Sequence, residues 1–378
     1  MKKKNNFLNK LVPIVICLII GGILGFVSGA YFDGLIGSYM ESSNFPIVFI
    51  KLFGLIAIFI AVFWVQIILH ELGHLIFGLM SGYSFVSFRV GSFTIINDNG
   101  KLKRKKFNIP GTGGQCLMMP PELKDERFPF ILYNLGGVIM NLTTFILGIL
   151  IAKNVNSPFN IIFSFFSLIG LFTALTNGIP MKIGGIANDA YNILSMLKNK
   201  DTRQGFYVQL RVNGLQSQGM RIKDMPLDTF EVKDDSDLSN PLNTSLRLME
   251  FNWYLDNMDF EKGKKSLDTL LPYFDKIIPV YRNEINCERM FLELVGNCDK
   301  HFIDNLYNKN LKKYIKIAKF MINKTRILMA YEAFYNEDKF KAMEYYKKIY
   351  KLADKYPIKG EADMELMLAD WIKEKINC

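Results

Sequence analysis

The chain has 378 residues, half of them hydrophobic, and a formal net charge of +10. This length allows two or three domains. The basic balance comes without the helix-turn-helix or aromatic-basic patterns of nucleic-acid binders, and it suits loops lying on an anionic membrane. Five cysteines without a CxxC pair argue against a full disulfide framework.

Two apolar segments open the chain. The basic stretch MKKKNNFLNK precedes an apolar run over residues 11–32, long enough to span a bilayer. Cleavage of this run as a signal peptide stays open, because VSGA resembles a small-residue cleavage site. A second segment over residues 47–80 exceeds a core of roughly 30 Å, so one end must tilt or leave the membrane.

Residues 84–121 change pattern. SFVSFRVGSFTI alternates and is rich in Phe, Val and Ile, NDNG is typical of a turn, and KLKRKKFNI favours a returning strand. We predict a small membrane-associated β-hairpin region here.

Two further apolar segments, residues 128–152 and 159–179, complete a set of about four transmembrane helices. The positive-inside rule places the basic N-terminus and the basic loop after the second span in the cytoplasm. An even number of spans then returns the C-terminal half to the cytoplasm. We therefore expect a multi-pass cell-membrane protein with both termini cytoplasmic.

The C-terminal half is polar and helical in pattern. NMDFEKGKKSLDTLL and NEDKFKAMEYYKKIY both place a polar turn and a Phe before an amphipathic run, as in tetratricopeptide-type helical pairs. The predicted fold is thus an all-α polytopic membrane protein with a C-terminal α-helical, TPR-like soluble domain. The predicted boundaries are 1–45 for the first helix and outer loop, 46–198 for the membrane core, 199–240 for a connector and 241–378 for the helical domain.

The second span carries HELGH, His70 to His74. Two His at i and i+4 share one helix face and can bind one metal, and zinc favours imidazole nitrogen. Glu71 lies beside such a metal without ligating it, where it can act as the general base toward a zinc-activated water. The third histidine of the chain, His301, falls in the soluble half and is expected to be a surface or packing residue.

A catalytic zinc site needs a third protein ligand. Since no histidine remains in the membrane half, a carboxylate is the best choice. Asp189 opens the helical run after the fourth span, behind the breakers Asn177 and Pro180 and the flexible pair Gly184 and Gly185. The alternative is that Asn188 caps this helix and Asp189 is an ordinary first-turn acid.

These motifs resemble the site-2 protease family of intramembrane zinc metalloproteases. That family carries HExxH in its first core helix, Gly-x-x-x-Asn in the second, and Asn-x-x-Pro followed by Asp-Gly in the third. This chain has HELGH, GGVIMN with Gly137 and Asn141, and NGIPMKIGGIANDA with Asp189, so the resemblance covers roughly residues 46–197. Two departures are that Asp189 stands nine residues beyond Pro180, and that Ala190 replaces the usual Gly.

The resemblance implies a zinc-dependent endopeptidase that cleaves a transmembrane segment near the cytoplasmic side of the bilayer. Membrane proteins, pheromone precursors and signal-peptide remnants are the implied substrates, and the helical domain has room for a protein partner. Asn141 is expected to orient the substrate backbone or the oxyanion, or else to pack between helices. A helical substrate must unwind, and the strands around residues 84–109 offer edge pairing to hold it extended.

Three alternatives stay open at this point. The first is another class of membrane zinc protease with a Glu as third ligand, although Glu122 and Glu126 follow a Pro-Pro pair and fit no such pattern. The second is a catalytically inactive homologue that acts as an adaptor through its helical domain. The third is a transporter with a metal site, against which the small number of spans argues.

Overall fold

A computed structural model describes the chain except residues 1, 42–43, 99, 108–112, 126, 184–185, 234–235 and 378. The fold is mainly helical, with a small antiparallel sheet. It divides into two compact units. Unit 1 contains Met1–Ser84, Gly113–Cys116 and Pro121–Asn199, and unit 2 contains Phe85–Thr112, Leu117–Pro120 and Lys200–Cys378. Most of the sheet therefore groups with the C-terminal helices, and not with the membrane core to which the predicted boundaries assigned it.

Within the described residues, unit 1 has five helices: α1 Lys2–Met40, α2 Phe45–Met80, α3 Phe130–Ala152, α4 Phe159–Gly178 and α5 Asp189–Lys198. The first four are long and apolar enough to cross a membrane, so the four predicted spans are helices of the kind expected in a membrane protein. α1 extends through residues expected in the outer loop. Asn44 caps α2 by accepting a hydrogen bond from Ile47 N–H, and Pro46 occupies its first turn.

The first four helices of unit 1 expose many large apolar side chains. Where α2 meets α3, small residues allow the backbones to touch. A Cβ added to Gly73 would lie 2.2 Å from the carbonyl oxygen of Gly136, so neither position can carry a side chain. Close small-residue contacts of this kind are typical of helix pairs in membranes.

The sheet has four strands: β1 Ser84–Val90, β2 Phe93–Asp98, β3 Lys101–Lys106 and β4 Gly114–Met119, in the order β3-β2-β1-β4. Phe88 pairs with Ile95 and Ile96 pairs with Lys103, both antiparallel. The stretch predicted as one strand turns back at Gly91, whose φ of 57° favours glycine. The predicted hairpin is therefore a larger sheet.

Unit 2 contributes nine helices within the described residues: α6 Lys200–Ser217, α7 Pro241–Asp256, α8 Phe260–Asp268, α9 Pro279–Val295, α10 Lys300–Leu306, α11 Lys309–Ile317, α12 Ile322–Ala330, α13 Lys339–Ala353 and α14 Lys359–Asn377. α12 continues into one π-helical turn, Tyr331–Tyr335. The predicted connector over residues 199–240 begins with α6 and so is partly helical.

The two look-alike segments of unit 2 share a local structure. Asp259 caps α8 by accepting from Lys262 N–H at 3.1 Å, and Asp338 caps α13 by accepting from Lys341 N–H at 2.9 Å. Each cap follows a residue in the left-handed region, at positions 258 and 337. The sequence similarity thus reflects a common turn into a helix, while the likeness to tetratricopeptide repeats stays a prediction.

Candidate functional site

Helix α2 carries three titratable side chains in its last part, His70, Glu71 and His74. His70 and His74 lie one turn apart, and their Nε2 atoms are 3.2 Å from each other. Both rings are largely buried, with side-chain exposures of 13% and 11%. Helical spacing alone accounts for this arrangement, because residues at i and i+4 lie one above the other on one face.

Asp189, the first residue of α5, completes the cluster. Its Oδ2 lies 3.2 Å from His70 Nε2 and 3.5 Å from His74 Nε2. In the part of the chain that the structure describes, this is the one group of three His, Cys, Asp or Glu side chains whose donor atoms converge well enough to hold a metal ion. The structure thus brings together the three residues that were predicted as metal ligands.

Asn188 positions this carboxylate. Its side chain forms four hydrogen bonds that join the two ends of the loop between α4 and α5. Oδ1 accepts from the backbone N–H groups of Met181 (3.1 Å) and Tyr191 (2.9 Å). Nδ2 donates to the backbone carbonyls of Thr176 (2.8 Å) and Ile179 (2.6 Å). Asn188 is therefore the N-cap of α5, as one alternative held, and the cap leaves the Asp189 side chain free for the histidines.

The loop that Asn188 closes is a short hairpin. Its strands are β5 Lys182–Ile183 and β6 Ile186–Ala187, which pair antiparallel. The predicted turn at Gly184 and Gly185 lies outside the described residues. Because the hairpin folds back on itself, the nine-residue interval after Pro180 still returns Asp189 to the end of α4.

Hydrogen bonds to the far side of each imidazole select the neutral tautomer that carries its proton on Nδ1 and its lone pair on Nε2. His74 Nδ1 lies 2.7 Å from the backbone carbonyl of Tyr133, which can only accept, so Nδ1 carries the proton. His70 Nδ1 donates in the same way to Asn141 Oδ1 at 2.6 Å. Asp189 Oδ2 is buried and has no hydrogen-bond partner among the described residues. With both rings neutral, three lone pairs converge, and a cation between them would relieve their repulsion.

The spacing of these three atoms fits a tetrahedral zinc ion. Zinc binds imidazole nitrogen at about 2.0–2.1 Å and carboxylate oxygen at about 2.0–2.2 Å, which puts tetrahedral ligands roughly 3.3–3.5 Å apart. The observed separations of 3.2, 3.2 and 3.5 Å agree with this to within about 0.2 Å. His70, His74 and Asp189 can thus hold one metal ion and leave a fourth position open.

Glu71 lies under the first residues of β4. A Cβ on Gly114 would meet Glu71 Cγ and Oε1 at 2.6 Å, so the backbone passes directly over this carboxylate. The backbone N–H of Cys116 donates to it. Burial raises the pKa of the Cys116 thiol well above its usual range, and Cys116 is not among the converging donors.

Sequence reasoning missed part of the site. Asn141 was expected to orient substrate, but its Oδ1 accepts from His70 and its Nδ2 donates to Gln66 Oε1 at 2.9 Å. The structure gives it a role in holding a ligand ring, and a contact with substrate stays a prediction. Gly137 makes room for that ring, since a Cβ there would lie 2.4 Å from His70 Cε1. The carbonyl of Tyr133 carries no sequence signal at all.

The remaining candidates lie outside the cluster. His301 is exposed on α10, near Asn305, as expected for a surface residue. Glu122 does not join the converging donors. Glu126 lies outside the described residues.

No protein-family model, curated protein or solved structure matches this chain. The function is therefore inferred from the motifs and the geometry.

Proposed function

We propose that the protein is a zinc-dependent intramembrane endopeptidase, similar to the site-2 proteases. The observation that carries this proposal is the convergence of His70, His74 and Asp189, with Glu71 next to the first of them on a membrane-spanning helix. The motifs that resemble the family occur in its order, and three of the side chains they supply form this one cluster. A zinc ion held there would lower the pKa of a water molecule to about 7 and polarise a carbonyl.

In peptide hydrolysis, Glu71 acts first as the general base and then as the general acid. The Glu71 carboxylate takes a proton from the attacking water, whose oxygen bonds to the substrate carbonyl carbon. As the C–N bond breaks, the carboxylic acid of Glu71 passes this proton to the leaving amine. Gly114 and the N–H of Cys116 hold the carboxylate in place during both transfers.

An extended substrate also has a place to bind. β4 is an edge strand of the sheet within the described residues, and its first residue, Gly114, contacts Glu71. A transmembrane segment hides its carbonyl groups in helical hydrogen bonds, so it must unwind before water can attack. Pairing along the edge of β4 would hold the unwound backbone beside the base. Edge pairing along the strands over residues 84–109 stays a prediction.

The proposed topology follows from the Lys and Arg distribution and the even number of spans. Both termini are cytoplasmic, and cleavage occurs near the cytoplasmic side of the cell membrane. The helical part of unit 2 is free to bind a protein partner. The site does not support the alternative of an inactive adaptor, because the three proposed ligands and the proposed base, Glu71, are all present.

The test compares Glu71→Gln with the wild type in detergent or proteoliposomes. The amide keeps the shape of the side chain and loses the base, so we expect full zinc content and at least about a 100-fold loss of cleavage. Glu122→Gln is the matched control, because it removes the rival carboxylate and should change neither property. Cleavage by Glu71→Gln at the wild-type rate would refute the assignment, and a wild type that binds zinc but cleaves no membrane segment would favour the adaptor.

A further inference from the structure

Gln66 is a buried amide in the apolar span α2, one turn before His70. Its exposure is 0%. A carboxamide in this position is costly unless both of its polar atoms are hydrogen-bonded. Both are: Nε2 donates to the backbone carbonyl of Phe166 on α4 at 2.7 Å, and Oε1 accepts from Asn141 Nδ2 at 2.9 Å and Thr144 Oγ1 at 3.1 Å.

The direction of these bonds is fixed at one end. The carbonyl of Phe166 can only accept, so Gln66 must turn its Nε2 toward α4. This turns Oε1 toward Asn141, which must then present Nδ2 and not Oδ1. Asn141 Oδ1 is left facing His70 Nδ1 at 2.6 Å, so that nitrogen must carry the ring proton.

We propose that Gln66 is a positioning residue that sets the tautomer of His70 through Asn141, with Nδ1 protonated and Nε2 free to bind metal. The inference rests on the proposed function only in that the free Nε2 is a metal ligand. The relay runs from the carbonyl of Phe166 through Gln66 and Asn141 to His70. Each group fixes which atom of the next one donates the hydrogen bond.

The surrounding packing leaves the relay little freedom. A Cβ on Gly170 of α4 would lie 3.0 Å from Gln66 Nε2 and 3.0 Å from Thr144 Oγ1. The glycine thus makes room for the two side chains, and the helices enclose them. His74 needs no such relay, because the carbonyl of Tyr133 contacts its ring directly. The two ligand rings are therefore oriented by different means, and only one of them depends on side chains.

The relay predicts how two substitutions at position 66 differ. Leucine removes the side-chain acceptor that holds Asn141 Nδ2 at 2.9 Å and leaves it only the backbone carbonyl of residue 66, at 3.5 Å. The amide of Asn141 is then held more weakly and can turn. A neutral glutamic acid keeps a carbonyl acceptor and an O–H donor in the same places, so Gln66→Glu should preserve the relay. Loss of an outer hydrogen-bond partner of a ligating histidine typically costs 10- to 100-fold in metal affinity.

The experiment uses the purified full-length protein in detergent and measures Zn²⁺ affinity by chelator competition and the visible spectrum of bound Co²⁺. We expect Gln66→Leu to bind Zn²⁺ about 10- to 100-fold more weakly with an altered Co²⁺ spectrum, and Gln66→Glu to match the wild type. Ser167→Ala is the control, because it removes another hydrogen bond between α3 and α4, to Phe145 O, outside the relay. It should change neither readout.

A second measurement does not depend on metal binding. Nitrogen-15 spectra of the metal-free wild type should show the Nδ1–H tautomer at His70, and Gln66→Leu should show a mixture. A predominant Nε2–H tautomer in the wild type, or wild-type Zn²⁺ affinity in Gln66→Leu, would overturn the inference. Failure of the wild type to bind Zn²⁺ at all would instead overturn the proposed function.

Discussion

Replacing Asp189 with alanine removes one ligand and little else. The carboxylate lies 3.2 and 3.5 Å from the Nε2 atoms of the two imidazoles. Helix α5 should persist, because Asn188 supplies its N-cap and alanine has the highest helix propensity. The substitution therefore isolates the third ligand from the fold that carries it.

The expected magnitude follows from the number of ligands. Zinc peptides with four ligands bind with about 10–16 kcal/mol, or roughly 2.5–4 kcal/mol for each ligand. At about 1.4 kcal/mol per decade, losing one ligand should weaken zinc binding by roughly 100- to 1,000-fold. The two remaining imidazoles would also leave the bound water poorly placed, so cleavage should be lost even at saturating zinc.

Zinc content after dialysis, chelator competition and cleavage of a transmembrane substrate would measure these effects. Asp201→Ala is the control, since Asp201 begins the neighbouring helix α6 and pairs at the surface with Lys233 at 2.7 Å. It should lose neither zinc nor activity. If Asp189→Ala retained stoichiometric zinc and normal cleavage, another residue would be the ligand, and both the convergence of donors and the resemblance after the fourth span would be misleading.

Four further outcomes are expected. Gly137→Ala should push the His70 ring aside and lower zinc affinity at least about 10-fold. Gly54→Ala is the control and should leave zinc affinity unchanged, because no atom lies within 4 Å of its added Cβ. Equal affinities of the two variants would count against the packing argument. Asn188→Asp keeps the cap and loses the two donated hydrogen bonds, so zinc affinity should fall in the order wild type, Asn188→Asp, Asn188→Ala, and any other order would separate Asn188 from the placement of the carboxylate. Reporter fusions after residues 40 and 240 should report the outer and the cytoplasmic side respectively, and an external signal from the second would refute the topology. Burial raises the pKa of Glu361 from 4.5 to about 7, so the folded state binds a proton that the unfolded chain releases; stability should fall as pH rises across that window, and Glu361→Gln should remove the fall in denaturant titrations followed by tryptophan fluorescence. A slope that persists in the variant would assign it to another group.

The sequence was most informative where a single helix determines the geometry. HELGH places its two histidines on one face by helical periodicity, and the structure has their Nε2 atoms 3.2 Å apart. The apolar runs likewise predicted α2, α3 and α4 to within two residues at each end. Asp189 could be proposed as the third ligand because the membrane half contains no third histidine. The two alternatives, Asp189 as a ligand and Asn188 as a helix cap, are also compatible, because both place the pair at the start of a helix.

Contacts between elements were harder to predict. The donor to Glu71 comes from β4, and the acceptor for His74 is a main-chain carbonyl of α3, neither of which leaves a trace in residue type. The turn at Gly91 was not predicted, and the residues on both sides of it were assigned to one strand. The reason is that Gly-Ser between two apolar stretches does not interrupt the alternation of apolar and polar residues. Gln66 did carry a signal, since an amide one turn before a ligand in an apolar span requires partners.

Charge balance supports the proposal that this cluster holds a metal ion and is not only an internal ion pair. Glu71 and Asp189 bring two carboxylates together, yet α3 and α4 contain no Lys or Arg, and α2 contains only Lys51. Lys51 is about 28 Å from His70 along the helix and donates to the carbonyl of Tyr39. Near the cluster, the Lys182 ammonium is held over the ring of Tyr191, 4.5 Å from its centroid.

The imidazoles can supply only part of the missing charge in this geometry. Each Nδ1 already donates to an oxygen, so protonation would place a hydrogen on Nε2, between atoms that are only 3.2 Å apart. One such hydrogen could bridge to Asp189, but the second histidine would then keep its lone pair against it. A divalent cation satisfies all three donors at once and balances two carboxylates. In an apolar span, where uncompensated charge is most costly, this is the arrangement that requires no further polar group.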